Sequence, residues 1–361
     1  MAVNWFDGYT AVEFGAALVA VKKTYASRIA EGRHIYVYLE SPCNPHGHVL
    51  DVAAICRAAH AEGLTVICDS TVGTPFLHPV LRREDAAERP DYVIHSYTKD
   101  LAGYGATTAG VVIARNELMF LPKGGKAEMS GPGGQTRTVN WDETLFWNVY
   151  YIKGAFLDSD KAYEVINGMR TLELRMLAKC ITATVLAQAL AAHPAINVNC
   201  SAVPGHPNAP LREANMFLGL PAPLFTIDFE PKPGAKALPR EAFKAFFDSL
   251  EPAFGLQVSL GQTNSVVLCP ALTSHSEMSD AALGEAGISR TTIRIAVGNE
   301  DPRNLLTHII RASELAFDPV SAGFSKGFMA ADEVDRLFEE NYVDTHRRYV
   351  RSRPKMAELM E

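Results

Sequence analysis

The amino-acid sequence predicts an α/β protein in which a mostly parallel sheet with covering helices is followed by a smaller C-terminal α+β domain. Two observations support this fold class. From Ile35 onward short apolar runs alternate with helical patterns, and after the loop at 201–210 strand-like and helical segments alternate again. The first pattern is typical of βαβ units. Its apolar runs are too dense for half-exposed strands, so they predict a sheet that is covered on both faces.

The first half of the chain contains four predicted strands and three helical patterns. The strands are IYVYLE at 35–40, LTVICD at 64–69, DYVIHS at 91–96 and AGVVIA at 109–114. Helices are predicted near 12–29, over 51–62, and as one long or kinked helix over 158–192. Residues 121–140 carry five glycines and two prolines, and they are predicted to form a long surface loop.

The second half alternates the strand-like runs LFTIDF, SVVLCP and TTIRIAV with helices near 240–250 and 302–317. We therefore expect a large domain over 1–190 and a small α+β domain over 191–320. The remaining residues, 321–361, form a charged helical C-terminal extension in this prediction.

Composition narrows the class of protein. The 361 residues are 47% hydrophobic and 21% charged, with a net charge of -7, which predicts a folded globular protein. No basic block is present, so nucleic acid or an anionic membrane is not an expected partner. The start of the chain lacks a secretion pattern, and the six scattered cysteines predict reduced, mostly buried thiols and no metal site. A cytoplasmic protein with a small-molecule substrate is the resulting expectation.

Polar residues follow two of the predicted strands, at VICDS (66–70) and VIHSYTK (93–99). Ligands of open α/β sheets bind at such strand ends. A carboxylate at Asp69 and an amine at Lys99 are the groups that a pyridine-based cofactor requires, one to keep the ring nitrogen protonated and one to bond the cofactor covalently. Ser96 and Thr98 could donate hydrogen bonds to its phosphate. Taken alone, Asp69 is explained better as a turn or helix-capping residue.

The order of several motifs is more specific than any one of them. The chain reads ESPCNP, CDSTVGTP and HSYTKDLAGYG, then GMRTLELRM, VSLGQTNSVVLCPALTSH and AGISRTTIRIAVGNEDPRNLL. These segments resemble the Cys/Met-metabolism family of pyridoxal 5'-phosphate (PLP) enzymes, which includes cystathionine γ-synthase, cystathionine γ-lyase and O-acetylhomoserine sulfhydrylase. The resemblance runs from about residue 30 to 317, and it implies the fold type I of PLP-dependent transferases, with a PLP-binding large domain.

Carried over residue by residue, the resemblance implies that Lys99 is the Schiff-base lysine and the acid/base that moves protons. It implies that Asp69 pairs with the pyridine nitrogen. The other implied roles are phosphate binding by Ser96 and Thr98, contact with cofactor and substrate by Asn44, and binding of the substrate α-carboxylate by Arg294, assisted by Ser259. A planar guanidinium suits a carboxylate because it offers two parallel hydrogen bonds.

Some positions depart from the family pattern. Ser70 stands where the family has Asn, Tyr104 follows the lysine motif, and QTNS fills 262–265. Family members also carry over a hundred residues before ESPxNP, whereas this chain has about forty. The part without a match normally includes a glycine-rich phosphate loop, an aromatic residue that stacks on the ring, and an arm that reaches a neighbouring subunit. We therefore expect the chain alone to bind PLP weakly and to turn over slowly or not at all.

The resemblance implies PLP-dependent chemistry on sulfur-containing or activated homoserine amino acids, with cystathionine γ-synthase-like γ-replacement as the first expectation. Elimination, as in a cystathionine β/γ-lyase or methionine γ-lyase, is the enzymatic alternative. A truncated, non-catalytic binding or assembly partner of a complete subunit is the alternative from another class. A homodimer or homotetramer is the expected assembly.

Overall fold

The computed structural model describes residues 2–130, 136–231 and 236–353. Its strands form a four-stranded sheet in the first half, a five-stranded sheet in the second half, and a separate hairpin. In chain order the strands are β1 (Tyr36–Glu40), β2 (Thr65–Asp69), β3 (Tyr92–Ser96), β4 (Gly110–Ala114), β5 (Lys126–Ser130), β6 (Thr136–Asn140), β7 (Asn197–Asn199), β8 (Leu224–Asp228), β9 (Gly255–Leu256), β10 (Val266–Leu268) and β11 (Ile293–Ala296).

Helices lie between these strands and continue beyond them. In chain order the α-helices are α1 (Ala11–Thr24), α2 (Ala26–Ala30), α3 (Val52–Ala61), α4 (Thr74–Leu77), α5 (Asn116–Met119), α6 (Ser159–Met169), α7 (Leu172–Ala191), α8 (Ala209–Asn215), α9 (Arg240–Asp248), α10 (Asp280–Glu285), α11 (Pro302–Ala316) and α12 (Ala331–Ser352). The helical pattern predicted over 158–192 is thus two helices, α6 and α7. The two helices are separated by Arg170 and Thr171. Just before this break, Gly168 lies against the backbone of Ala102.

The first sheet has the strand order β1-β2-β3-β4. Strands β1, β2 and β3 run parallel, with Glu40 opposite Asp69 and Asp69 opposite Ile94. Strand β4 runs antiparallel to β3. The expectation of a mostly parallel sheet is confirmed, and β4 is its one reversed strand. Only residues 97–109 connect β3 to β4, and they form turns rather than the helical crossover that a parallel neighbour needs.

The two faces of the first sheet differ in burial. Val37, Leu39, Val66 and Val93 point to one face, where they pack with residues of α1 and α3. On the other face Tyr36 is 62% exposed, Tyr38 57% and Val112 39%. The prediction that both faces are covered is therefore wrong for this face within the described residues. We call the face that carries Tyr36, Tyr38, Ile67, Ile94 and Val112 the open face.

The second sheet has the order β7-β8-β11-β10-β9 and is buried on both faces at its centre. Phe225, Ile295 and Val267 point to a large core that includes residues of α7, α9 and α11. Leu224 and Val266 point the opposite way, into a smaller cluster that also contains Val72 from the first half. This sheet therefore packs against the first half of the chain through one face.

Helix α7 lies at the centre of the molecule. It is long and apolar enough to be a candidate membrane span by length and composition, but 72% of its most apolar window is buried inside the protein. The expectation that 180–192 belongs to a core helix is confirmed. The expectation that the cysteines are mostly buried also holds, since five of the six are buried and Cys43 is partly accessible.

Residues 121–140 differ from the sequence prediction of a long loop. Strands β5 and β6 pair antiparallel, with Lys126 opposite Asn140 and Ser130 opposite Thr136. The strands lie over KAEMS and TRTVN, and the glycines that suggested a loop lie outside both strands. Residues 131–135 lie outside the described residues. The domain limits 1–190, 191–320 and 321–361 stay predictions; α12 packs along α7 and occupies much of the last segment.

Candidate active site

Lys99 lies in the turn Tyr97–Leu101, directly after β3. The turn is closed by hydrogen bonds from Ala102 N to Tyr97 O (3.1 Å) and from Gly103 N to Lys99 O (2.8 Å). At Lys99 the backbone leaves helical geometry, with ψ at -141°. The turn therefore presents the lysine side chain at the C-terminal edge of the sheet, where α/β proteins bind their ligands.

The Lys99 amine contacts the loop 258–262, which comes from the second half of the chain. Lys99 Nζ donates to Ser259 Oγ at 2.8 Å. Burial lowers the pKa of the Lys99 amine, and the positive charge of Arg294 lowers it further, while the carboxylate of Asp100 opposes both effects. A lowered pKa leaves more of the amine uncharged near neutral pH, which is the form that attacks a carbonyl carbon.

The same loop holds Arg294, a residue of β11. Arg294 Nη2 donates to the carbonyl oxygens of Val258 and Ser259, each at 2.8 Å, and Nη1 donates to Asn44 Oδ1 at 3.2 Å. Ser259 therefore contacts the candidate anchoring amine through its hydroxyl and the candidate carboxylate-binding group through its carbonyl. Four of the residues predicted from sequence are joined in one connected set: Asn44, Arg294, Ser259 and Lys99.

Arg294 is buried without a compensating charge. It is 2% exposed, and among the described residues no carboxylate lies within ion-pair distance of it. Its Nε has no hydrogen-bond partner, and burial lowers its pKa to about 10. A buried cation without a counter-ion is costly. No ion pair within the described residues therefore accounts for the buried charge, and a bound carboxylate would supply the missing anion.

Asp69 and Ser96 form a second group around Thr71, at the ends of β2 and β3. Asp69 Oδ1 accepts from Thr71 N at 2.9 Å, and Ser96 N donates to Thr71 Oγ1 at 2.9 Å. The pairing of Asp69 with Ile94 puts the side chains of Asp69 and Ser96 on the open face. Ser96 Oγ makes no hydrogen bond within the described part of the chain, so its hydroxyl is available as a donor.

Thr98 is less available than the sequence suggests. Its Oγ1 accepts from Ala109 N at 3.1 Å and donates to Ala109 O at 3.4 Å. These contacts fix the turn against the start of β4, and the longer one is weak enough for a ligand to compete with it. The phosphate role of Thr98 stays a prediction.

Glu40 links the two groups, and sequence reasoning assigned it no role. Its Oε1 accepts from Asn44 N at 3.0 Å, and its backbone pairs with Asp69 across β1 and β2. Burial raises the pKa of Glu40. Tyr38 was also missed; its hydroxyl lies 3.4 Å from Asp69 Oδ2, and burial together with this carboxylate raises its pKa to about 12. Both occupy positions that alternate with core residues along β1, which is the signal that could have identified them.

Asp100 and Lys179 are the other residues that the sequence did not reveal. Lys179 Nζ lies 2.6 Å from Asp100 Oδ1 in an ion pair with both side chains out of solvent. Nothing in the sequence joins positions 79 residues apart. A lysine on the buried side of an apolar helix, at a position that packing should assign to a hydrophobic residue, was the available sign.

A glycine explains why the loop 258–262 approaches the lysine turn so closely. Gly261 has φ of +79°, a conformation that favours glycine, and a Cβ placed there would lie 2.6 Å from Asp100 N and 3.0 Å from Lys99 C. Any side chain at this position would push the loop away from the turn. The glycine in VSLGQTNS is thus required by contact with the Lys99–Asp100 peptide.

Comparison with known proteins identifies the family of this chain. The family model for Cys/Met metabolism PLP-dependent enzymes matches residues 11–314. The chain belongs to this family. The family resemblance and the fold class predicted from sequence are confirmed, and the cofactor of the family is PLP.

Individual relatives carry several names. The chain is 33% identical over 308 residues to L-methionine gamma-lyase of Pseudomonas deceptionensis, a match that covers 83% of this chain and 67% of that protein. It is 31% identical over 277 residues to the O-succinylhomoserine sulfhydrylase of Pseudomonas aeruginosa, covering 76% of this chain and 59% of that protein. The chain thus spans about 60 to 67% of the length of the curated relatives it matches.

Solved structures agree with the fold. A cystathionine gamma lyase from Micromonospora echinospora superimposes with a TM-score of 0.60 at 28% identity, covering 80% of this chain and 66% of that one. A cystathionine gamma synthase from Xanthomonas oryzae pv. oryzae, solved in complex with cystathionine, gives a TM-score of 0.63 at 25% identity, covering 81% and 66%. Lyases and synthases are therefore both similar in fold to this chain.

The residues present fit PLP and an amino-acid substrate. The Nε of the buried Arg294 has no hydrogen-bond partner within the described residues, and the α-carboxylate of an amino acid would supply one. The Ser96 hydroxyl, which is free within the same residues, could donate to a phosphate. Asp69 and Lys99 supply an acid and an amine at neighbouring ends of the same sheet edge. Within the described residues, no group of three or more His, Cys, Asp or Glu side chains is placed to hold a metal ion.

Proposed function

We propose that this chain is a transsulfuration-type enzyme that anchors PLP through Lys99 and removes or replaces a sulfur or ester substituent on the side chain of an amino acid. The observation that carries the proposal is the buried Arg294, which has no carboxylate partner among the residues that the structure describes and is joined through Ser259 to the Lys99 amine. A carboxylate bound at Arg294 would lie beside an amine of lowered pKa.

Each residue has a distinct part in this proposal. PLP, when bound, withdraws electrons from the substrate Cα and so acidifies its proton. Lys99 Nζ accepts the Cα proton, and a further proton transfer at Cβ then lets a substituent on Cγ leave. Arg294 holds the α-carboxylate with two hydrogen bonds, Asn44 orients the guanidinium, and Asp69 keeps a proton on the ring nitrogen. Ser96 donates to the phosphate.

Elimination is the reaction that the named relatives favour. The proteins of Pseudomonas deceptionensis and Pseudomonas putida that match at 33% and 31% identity are both named L-methionine gamma-lyase. Replacement, the first expectation from sequence, is supported by the sulfhydrylase and the cystathionine gamma synthase. Both reactions begin with proton removal at Cα, so the same residues serve either.

The openness of the first sheet supports a further part of the proposal, that the chain alone binds PLP weakly. The side chain of Asp69 lies on the open face, next to a tyrosine that is more than half exposed. A ring bound there would keep water on one side, and water weakens the pairing of a carboxylate with a charged ring. The homodimeric or homotetrameric assembly and the cytoplasmic location stay predictions.

Product analysis tests the proposal. The chain is supplied with PLP and either methionine or O-succinylhomoserine plus cysteine; elimination gives an α-keto acid, ammonia and a thiol, whereas replacement gives a thioether amino acid. Arg294→Lys should reduce kcat/KM by about 100-fold, because a lysine cannot make the two parallel hydrogen bonds. Lys326→Arg, at a distant surface lysine, is the control.

Two results would contradict the proposal. The first is turnover that Lys99→Ala leaves unchanged. The second is that the unaltered chain and Lys99→Ala both lack activity and PLP absorbance, while Lys99→Ala still binds a partner subunit normally. This result would support the non-catalytic alternative.

A further inference from the structure

The buried ion pair between Asp100 and Lys179 lies directly behind the candidate anchoring lysine. Asp100 is the residue after Lys99, and its side chain is 1% exposed, while that of Lys179 is 0% exposed. Lys179 Nζ donates to Asp100 Oδ1 at 2.6 Å and also to the carbonyl oxygen of Gln262 at 2.5 Å. One ammonium group therefore contacts both the Lys99 turn and the loop 258–262.

These contacts join three elements that build the site. The turn supplies Lys99, helix α7 supplies Lys179, and the loop 258–262 supplies the groups that hold Arg294. Gly261 brings the loop within van der Waals contact of the Lys99–Asp100 peptide, so the ion pair and the glycine act on the same junction. The separation between the Lys99 amine and the Arg294 guanidinium depends on this junction.

Stability alone does not account for the pair. Removing two charges from water costs several kcal/mol per ion, and apolar replacements of buried ion pairs are often neutral or stabilising. The pair does have a geometric consequence, because an ammonium with two fixed acceptors cannot shift without losing a hydrogen bond.

We propose that Asp100 and Lys179 are positioning residues that hold the Lys99 turn against the loop 258–262 and so fix the distance between the PLP-anchoring amine and the carboxylate-binding Arg294. This inference rests on the proposed function. In this proposal Asp100 and Lys179 touch neither cofactor nor substrate. They act through Lys99, Ser259 and Arg294.

The charges of the pair also act on Lys99. Asp100 raises the pKa of the Lys99 amine, opposing Arg294 and burial. Lys179 and Arg175, both on α7, are the cations near Asp100. Neutralising Asp100 therefore removes a negative charge that supports protonated Lys99 and leaves the cations.

The first experiment measures PLP affinity by fluorescence titration in Asp100→Asn, Lys179→Met and the double variant. Each single variant should weaken PLP binding by about 10- to 100-fold, the range for residues that orient a binding group from behind. The double variant should bind PLP at least as tightly as the single variant with the lower affinity, because the two residues act as a unit. The double variant also removes both buried charges, so we expect it to be less destabilised than a single variant that leaves one charge unpaired.

Asp91→Asn is the matched control. Asp91 lies 3.1 Å from the buried His60 and 3.8 Å from Arg115 in a half-buried cluster that does not contact the Lys99 turn or the loop 258–262. It should lower the melting temperature without changing PLP affinity. If Asp100→Asn, Lys179→Met and the double variant all bind PLP as Asp91→Asn does, the pair is only structural and the inference is wrong.

A second measurement needs no cofactor. The rate at which acetic anhydride labels Lys99 is followed against pH by peptide mass spectrometry, and Asp100→Asn should move the midpoint to lower pH. An unchanged midpoint together with an unchanged labelling rate in Asp100→Asn, Lys179→Met and the double variant would show that the pair does not position Lys99, and it would overturn the inference even if PLP affinity is too weak to measure. PLP binding that is unaffected by Lys99→Ala refutes the proposed function instead, so the two failures are distinguishable.

Discussion

The two sheets of the molecule differ in how completely they are covered, and the candidate site lies where they meet. In the second sheet, β8, β10 and β11 bury nearly every residue. In the first sheet β1 alternates exposed and buried residues, and its open face continues into the end of β2 that carries Asp69. Arg294 and Ser259 thus come from a closed framework, while Asp69 and Ser96 come from a half-covered one. Substrate binding should therefore be more robust than cofactor binding in this chain.

The largest expected effect is on the closed sheet. Phe225 on β8 is 0% exposed and belongs to the main core. Phe225→Ala should reduce the free energy of unfolding by about 3–5 kcal/mol, because it leaves a cavity that the surrounding helices cannot fill. Urea unfolding followed by circular dichroism measures this change. A loss below about 1 kcal/mol would show that the second sheet is not the rigid half.

The junction between the halves should respond to acid. His48 contacts Tyr9, Asn199 and the rings of His46 and His206, and burial lowers its pKa to about 4. Because the unfolded chain binds a proton near pH 6.5 and the folded chain does not, stability present above pH 6.5 is lost as the pH falls toward 4. Between pH 7 and pH 5 the loss from His48 is about 2 kcal/mol.

Melting temperatures across this pH range test the prediction. His48→Gln should flatten the decline between pH 6.5 and 5, and the exposed His34→Gln should not change it. Equal slopes in all three proteins would assign the acid sensitivity to other groups.

The smallest effect is expected on the open face. Tyr36 is 62% exposed on β1, so Tyr36→Thr should change the free energy of unfolding by less than about 0.5 kcal/mol. The same variant should reduce binding of a hydrophobic dye, since it removes an aromatic ring from an uncovered apolar surface. A loss of stability comparable to that of Phe225→Ala would mean that the face is covered in solution.

Local features of the fold were predictable, and the contacts between distant segments were not. The strands at 35–40, 64–69 and 91–96 follow from dense apolar runs, and helix 302–317 follows from its periodicity. The same density of apolar residues predicted that both faces of the first sheet are covered, whereas one face is open. Apolar content alone does not reveal whether another element packs on a face. The hairpin at 126–140 was hidden by its glycines.

The candidate site shows the same division. Motif resemblance identified Lys99, Ser259, Arg294 and Asn44, and the structure joins them through hydrogen bonds. The pair of Asp100 and Lys179 connects residues distant in sequence, so no local pattern could predict it.

Reductive trapping of PLP shows directly whether Lys99 is the residue that bonds the cofactor. The chain is incubated with PLP, treated with borohydride to fix any lysine-bound cofactor, digested, and analysed by mass spectrometry. We expect the pyridoxyl group to be found on Lys99, and we expect Asp69→Asn to lower its yield. Label that is spread over exposed lysines such as Lys22 and Lys153, with none enriched at Lys99, would contradict it.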